Sequence, residues 1–157
     1  MIKSWMVIGG VAILIAMGGS WLSPSDRQWF NRLKRPQWLT FEGAIPLIWT
    51  FIFICLAWSA YIIWEGNPGT TTTWLIMGVY LLLEIATISY TSLMCKLRSL
   101  QVGTIIGGTG FFVALFLAIA VYRFSSWATI LLLPYLLWSP IGTYTTWTMM
   151  FLNPDDV

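Results

Sequence analysis

Within the long apolar runs of this chain, one ionisable side chain lies far from either end. It is Glu84, in the stretch WLIMGVYLLLEIATISYTSLMC. A carboxyl at mid-bilayer costs about 2.5–3.5 kcal/mol on insertion scales, so it needs a reason to be there. Two roles fit. Glu84 could face a cavity and bind a proton or a polar group of a ligand. It could instead be protonated and hydrogen-bond a neighbouring helix. Thr87 and Thr91 follow at spacings of three and four and share its side of a helix. A proton relay or selective channel needs a series of such groups, and the chain has none, which argues against a pump or ion channel.

Indole rings are the second resource. Of the eleven tryptophans, Trp5, Trp21, Trp64, Trp74 and Trp127 lie near the ends of apolar runs, where interfacial anchoring explains them. Trp49, Trp58 and Trp138 lie deeper. Trp49 and Trp138, with Trp38 from a connecting segment, could form an aromatic box that holds a flat apolar ligand by stacking and area burial. Ordinary packing of a helix bundle is the other reading. Conventional polar catalysis is poorly provided for. There is no histidine, so neither Ser nor Cys has an obvious base. Cys55 and Cys95 lie within apolar runs, show no CxxC spacing and suggest no disulfide. No metal site is expected. The glycines from Gly103 to Gly110 open an apolar helix, the wrong context for phosphate. No catalytic residue is assigned.

The elements that must position these groups are long apolar segments. Of the 157 residues, 58% are hydrophobic and 9% charged, against about 25% charged in soluble domains. Five runs, Val7–Leu22, Ile45–Trp64, Trp74–Cys95, Val102–Tyr122 and Trp127–Leu152, meet or approach the roughly 20 residues that cross a bilayer. The expected fold is all-α: a single membrane domain over 1–157, with helices at about 5–22, 45–64, 74–95, 101–123 and 127–152. The net charge of +2 is too small to suggest nucleic acid. Its distribution predicts topology. Arg27, Arg32, Lys34, Arg35, Lys96 and Arg98 collect on one side and only Lys3 and Arg123 on the other, which places the N-terminus outside and the C-terminus in the cytoplasm. Lys3, the first apolar run and Gly18-Gly19-Ser20 resemble a signal peptide, but the four further runs and Trp21-Leu22 favour a retained helix. The lack of an Arg-rich transit segment points to a bacterial membrane.

One long connection, 23–44, begins with an N-cap pattern, Ser23-Pro24-Ser25-Asp26, that predicts a short helix through Leu33 and a stop before Pro36. Trp29, Phe30, Leu33, Trp38 and Phe41 make it too apolar to float in water. It is expected to fold over the bundle as a lid; the alternative leaves its aromatics at headgroup depth. Trp49, Phe53, Leu56, Ala60 and Trp64 share one face of the second helix, which starts near Pro46. Gly66-Asn67-Pro68-Gly69 reads as a turn. Gly103, Gly107, Gly110, Ala114 and Ala118 form a small-residue stripe suited to close helix approach, within the bundle or in a dimer. Pro134 and Pro140 interrupt the fifth run and predict an opening lined by Tyr135, Trp138 and Gly142.

The stretch Trp29-Phe30-Asn31-Arg32-Leu33-Lys34-Arg35-Pro36-Gln37-Trp38, with Pro46 and Trp49 after it, resembles the first loop and second helix of the TspO/MBR family. These are the tryptophan-rich sensory proteins related to the translocator protein, or peripheral benzodiazepine receptor. Pro134-Tyr135-Leu136-Leu137-Trp138 and the terminal Leu152-Asn153 are similar to the family's fifth helix. The resemblance implies a five-helix bundle, often a homodimer, whose pocket is closed by the first loop. It implies tetrapyrrole binding (haem, protoporphyrin IX), sterol binding and drug binding, in stress response or porphyrin handling, with no cofactor required. Pocket roles carry over to Trp38, Trp49, Tyr135, Trp138 and Gly142. The chain departs from the pattern in its third helix. Leu83, Thr87 and Tyr90 stand where Gln, Asn and Trp are common, and Glu84 falls beside the expected Gln. Thr146 replaces an Asn, and Phe151 replaces the Arg that ends a sterol-recognition pattern. The expected ligand-binding set is Trp38, Phe41, Trp49, Phe53, Glu84, Thr87, Tyr90, Tyr135, Trp138 and Gly142. Without histidine, haem would be held mainly by stacking, with Tyr, Cys or Met as weak ligands. Two other functions remain open: an oxidative porphyrin-degrading enzyme using indole radicals, and a scaffold acting through the small-residue face.

Overall fold

The computed structural model describes residues 3–18 and 22–157. Trp21, expected as an anchor, and Gly19-Ser20 of the signal-peptide pattern lie outside the described residues. The described chain is all-helical: α1 (Ser4–Gly18), α2 (Pro24–Arg32), α3 (Ile45–Gly66), α4 (Thr71–Leu97), α5 (Leu100–Tyr122), α6 (Ser126–Ile130) and α7 (Leu133–Leu152). Short 3₁₀ turns precede α3 (Glu42–Ala44) and follow α7 (Pro154–Asp156). Three helical stretches, Glu42–Gly66, Thr71–Leu97 and Leu100–Tyr122, are each long and apolar enough to cross a membrane. α1 is apolar but shorter.

The fifth run departs from its expected single helix. It is split into α6 and α7 at Leu131-Leu132. Pro134 lies in the first turn of α7, where its missing N–H costs nothing, so it starts a helix instead of kinking one. Pro140 alone lies inside α7.

Local chemistry sets the helix ends. The Ser23 side chain accepts from the Asp26 amide, and Asp26 accepts from the Ser23 amide, closing a capping box on α2. Pro46 occupies the first turn of α3. Gly69 takes a φ of +78° in the turn before α4, a conformation that glycine adopts without strain. α4 ends at Arg98 in the left-handed region, with its amide on the Cys95 and Met94 carbonyls. Ser99 then caps α5, so α4 and α5 form a tight antiparallel hairpin.

α5 is the central helix, packed on α4 and α7, while α1 lies against α3 and α4. The stripe on α5 serves these internal contacts. A Cβ added at Gly103 would meet Met94 and Thr146, at Gly107 it would meet Thr143 and Tyr90, and at Gly110 it would lie 2.8 Å from the Tyr135 hydroxyl. Ala114 and Ala118 are buried in the same core. At the other face of the bundle, buried Ser59 bonds both Tyr80 and the Ala128 carbonyl, tying α3 to α4 and to α6. A second core holds Trp29, Leu33, Met94, Cys95, Leu100 and Met149, where α2 rests on the ends of α4, α5 and α7.

Candidate functional site

The first loop is fastened to the end of the chain. Trp29, 3% exposed, donates its indole N–H to Asp156 at 2.7 Å, and Arg32 pairs with the same carboxylate oxygen at 2.7 Å. Asn153 accepts from the Lys34 amide at 2.9 Å and donates to the Lys34 and Met149 carbonyls at 3.1 and 2.9 Å. Arg35 finishes α2. Its guanidinium donates to the Phe30 and Leu33 carbonyls, lies 4.6 Å from the centre of the Phe30 ring and pairs with Glu42 at 3.2 Å. Carbonyls at the end of a helix lack intrahelical donors, and the cation supplies them. These contacts fix the path of the segment after Pro36.

That path carries Trp38 and Phe41 onto α7. Trp38 stacks on Tyr144 with centroids 5.9 Å apart, and Phe41 meets Trp138 at 6.1 Å. Trp38 and Phe41 also touch each other. From α3, Trp49 packs edge-on to Tyr135 at 5.9 Å and against Phe53 at 6.4 Å. The rings thus form two groups, one between the loop and α7 and one between α3 and α7, set next to each other by the three-residue spacing of Tyr135 and Trp138 on α7. The loop group is open on one side, since Trp38 and Phe41 remain 41% and 37% exposed. At Gly142 an added Cβ would meet nothing within 4 Å, so there is free space one turn beyond Trp138. Such an array offers stacking faces and apolar area with few polar groups, the usual make-up of a site for flat apolar molecules.

Behind the rings is a hydroxyl layer. The Tyr135 hydroxyl, on a buried side chain, lies 3.2 Å from the Thr87 hydroxyl, which donates to the Leu83 carbonyl. Ser139 donates to the Gly107 carbonyl. Further along, Tyr90 bonds Thr146. Thr87 therefore backs the aromatic group through Tyr135, whereas Tyr90 belongs to the α4–α7 contact beyond it.

Glu84 lies elsewhere. It is 6% exposed and lines a cavity between α1, α3 and α4, with Val7, Val11, Trp64, Trp74 and Met77. The turn of α4 that holds Glu84 faces α1 and α3, and Thr87, about 60° further round the helix, faces Tyr135. Trp58 is half exposed on the outer face of α3, in a shallow groove with Trp5 and Tyr61. Tyr144 was missed by sequence reasoning. It is six residues from Trp138, outside the three-and-four spacing of one helix face, and only the route of the loop brings Trp38 to it.

These features define an all-helical membrane protein with a docked first loop and an aromatic cluster beneath it. The chain belongs to the TspO/MBR family: the family's sequence pattern matches residues 7–152. It is similar to the uncharacterized membrane protein YtaB of Bacillus subtilis, 26% identical over 154 residues, covering 94% of this chain and 97% of that protein. It is also similar to the tryptophan-rich protein TspO of Bacillus cereus, 28% identical over 132 residues, covering 84% and 85%. A third relative is the tryptophan-rich protein TspO of Chlorobaculum tepidum, 26% identical over 151 residues, covering 92% of each.

Proposed function

We propose that this protein is a membrane receptor or transporter that binds tetrapyrroles and similar flat apolar molecules beneath its first loop. The observation that carries this is a pair of ring groups along α7, Trp38, Phe41, Trp138 and Tyr144 between the loop and α7, and Trp49 with Tyr135 between α3 and α7. In this reading α1, α3, α4, α5 and the α6–α7 pair are the five membrane crossings. The segment 23–44 acts as the lid, and its basic side faces the cytoplasm of a bacterium. In this reading the homodimer uses a surface other than the α5 glycine stripe, because α4 and α7 already fill that stripe.

The chain brings stacking faces to the cluster and no histidine. Binding therefore rests on ring contact and burial, and metal-free protoporphyrin IX should bind about as well as haem. The test is a titration of the purified protein with each porphyrin, read by quenching of tryptophan fluorescence. A flat heterocycle stacked on an aromatic side chain, as nucleobases are, loses about 1–3 kcal/mol when that side chain is removed, so Trp138→Ala should weaken binding by about fivefold or more. Unchanged affinity in Trp138→Ala would refute the site. Haem bound far more tightly than the free porphyrin, with an axial-ligand spectrum, would refute the binding mode.

A further inference from the structure

The cavity beside Glu84 is a different place from the aromatic cluster. It lies between the first half of α1, the last turns of α3 and the first half of α4, with a volume of about 410 Å³. Trp64, on its wall, is about 22 Å along α3 from Trp49 at 1.5 Å per residue. Its walls are almost wholly apolar, and the other hydroxyls around it are already engaged. Ser4 bonds Glu65, and Tyr80 bonds Ser59. Glu84 makes no hydrogen bond or ion pair with any described residue, yet the residue is only 6% exposed. No sealed side-chain oxygen lacks a partner among the described residues, so the carboxyl oxygens of Glu84 keep their small accessible surface. That surface opens into the cavity it lines.

We propose that the Glu84 cavity binds a lipophilic amine, an apolar molecule carrying one protonated nitrogen. A carboxylate offers acceptors only, and an unpaired polar group in an apolar setting is costly. Among the described residues, no Lys or Arg lines the space. Lys3 is exposed beside Ser4, at the end of the cavity remote from Glu84, and Lys96 is about 18 Å away along α4. The donors must therefore come with the ligand. A hydrocarbon tail would fill the volume and leave the carboxyl unpaired. A hydroxyl would bring one donor and no charge. An ammonium brings up to three donors and the opposite charge, in a charge-assisted bond about twice as strong as a neutral one. The apolar body of the ligand would lie along Val7, Val11 and Met77, with Trp64 and Trp74 as a rim.

The test is a titration in phosphatidylcholine nanodiscs with dansylcadaverine, a primary amine on an apolar fluorophore, read by energy transfer from tryptophan. Its N-acetyl derivative is the uncharged control. The amine should bind saturably and at least about tenfold more tightly than the acetylated form. Glu84→Gln should reduce the amine to the level of the acetylated form, and Met77→Trp, which fills the cavity, should abolish binding of both. Equal binding of the two probes by the native protein would overturn the proposal. So would full amine affinity in a Glu84→Gln protein with native helical circular dichroism, or displacement of the amine by protoporphyrin IX. Should Glu84→Gln fail to fold, the ratio of the two probes on the native protein and the Met77→Trp titration decide the matter.

Discussion

Asn153→Ala should loosen the docking of the first loop on the bundle. Asn153 is buried, at 9% exposure. Its side chain makes three hydrogen bonds, two to the Lys34 backbone and one to the Met149 carbonyl. Only the Lys34 pair crosses from α7 to the loop. Each net hydrogen bond contributes about 0.5–1.5 kcal/mol, and a buried group left unpaired costs about 1–3 kcal/mol. The loop stays partly held by Trp29, whose ring is in the core and whose indole bonds Asp156. Losing the two Lys34 bonds should therefore cost about 2 kcal/mol of docking, roughly a 30-fold shift at 1.4 kcal/mol per tenfold. Hydrogen exchange in nanodiscs reads this directly, because the α2 amides exchange through opening of the loop. Amides of α2 such as Phe30 should exchange about 30 times faster, while those of α4 and α5 stay protected. Asn153→Asp keeps the acceptor for the Lys34 amide but sets a carboxylate against two carbonyls, so it should be no better than Ala. Native protection of α2 in Asn153→Ala, with the substitution verified, would refute the idea that this residue latches the loop.

Four further outcomes follow from the packing. Ser59→Ala should lower stability by about 2–4 kcal/mol, because the Tyr80 hydroxyl and the Ala128 carbonyl both lose a buried partner; thermal unfolding in detergent checks it. Gly110→Ala should push the Tyr135 hydroxyl off Thr87 and weaken porphyrin binding, whereas Gly108→Ala, which meets nothing within 4 Å, should be neutral or stabilise the helix by up to about 1 kcal/mol. Gly142→Phe should fill the space beside Trp138 and cut porphyrin affinity without lowering the unfolding temperature, as measured by titration and melting together. Arg32→Gln should change loop exchange little, since the Arg32 side chain is 63% exposed and exposed ion pairs contribute about 0–1 kcal/mol.

The parts of this protein readable in its sequence are those governed by local chemistry and by length. Ser23 and Asp26 announced α2, and Pro46 the start of α3. Gly69 marked a turn that needs positive φ, and the long apolar runs marked a membrane protein. Trp38, Trp49, Tyr135 and Trp138 were legible as candidates because their types and spacing match a family pattern. Facing was harder. In a water-soluble helix the polar face tells which side is buried. Here the lipid-facing side is as apolar as the packed side, so nothing in the pattern separates Trp58, which points outward, from Trp49, which points to Tyr135.

What the sequence determined alone was therefore the helices, most of their ends, the stock of indoles and one carboxyl deep within an apolar run. Only the packed chain decided that Pro134 starts α7 and that the α5 glycines are covered by Met94, Thr143 and Tyr135. It also brought Tyr144 under Trp38 and turned Glu84 away from the aromatic cluster. These outcomes depend on helix rotation and on the path of the loop. Both are set by shape-matched contacts between residues far apart in the chain, and apolar composition, nearly uniform along each span, does not encode them.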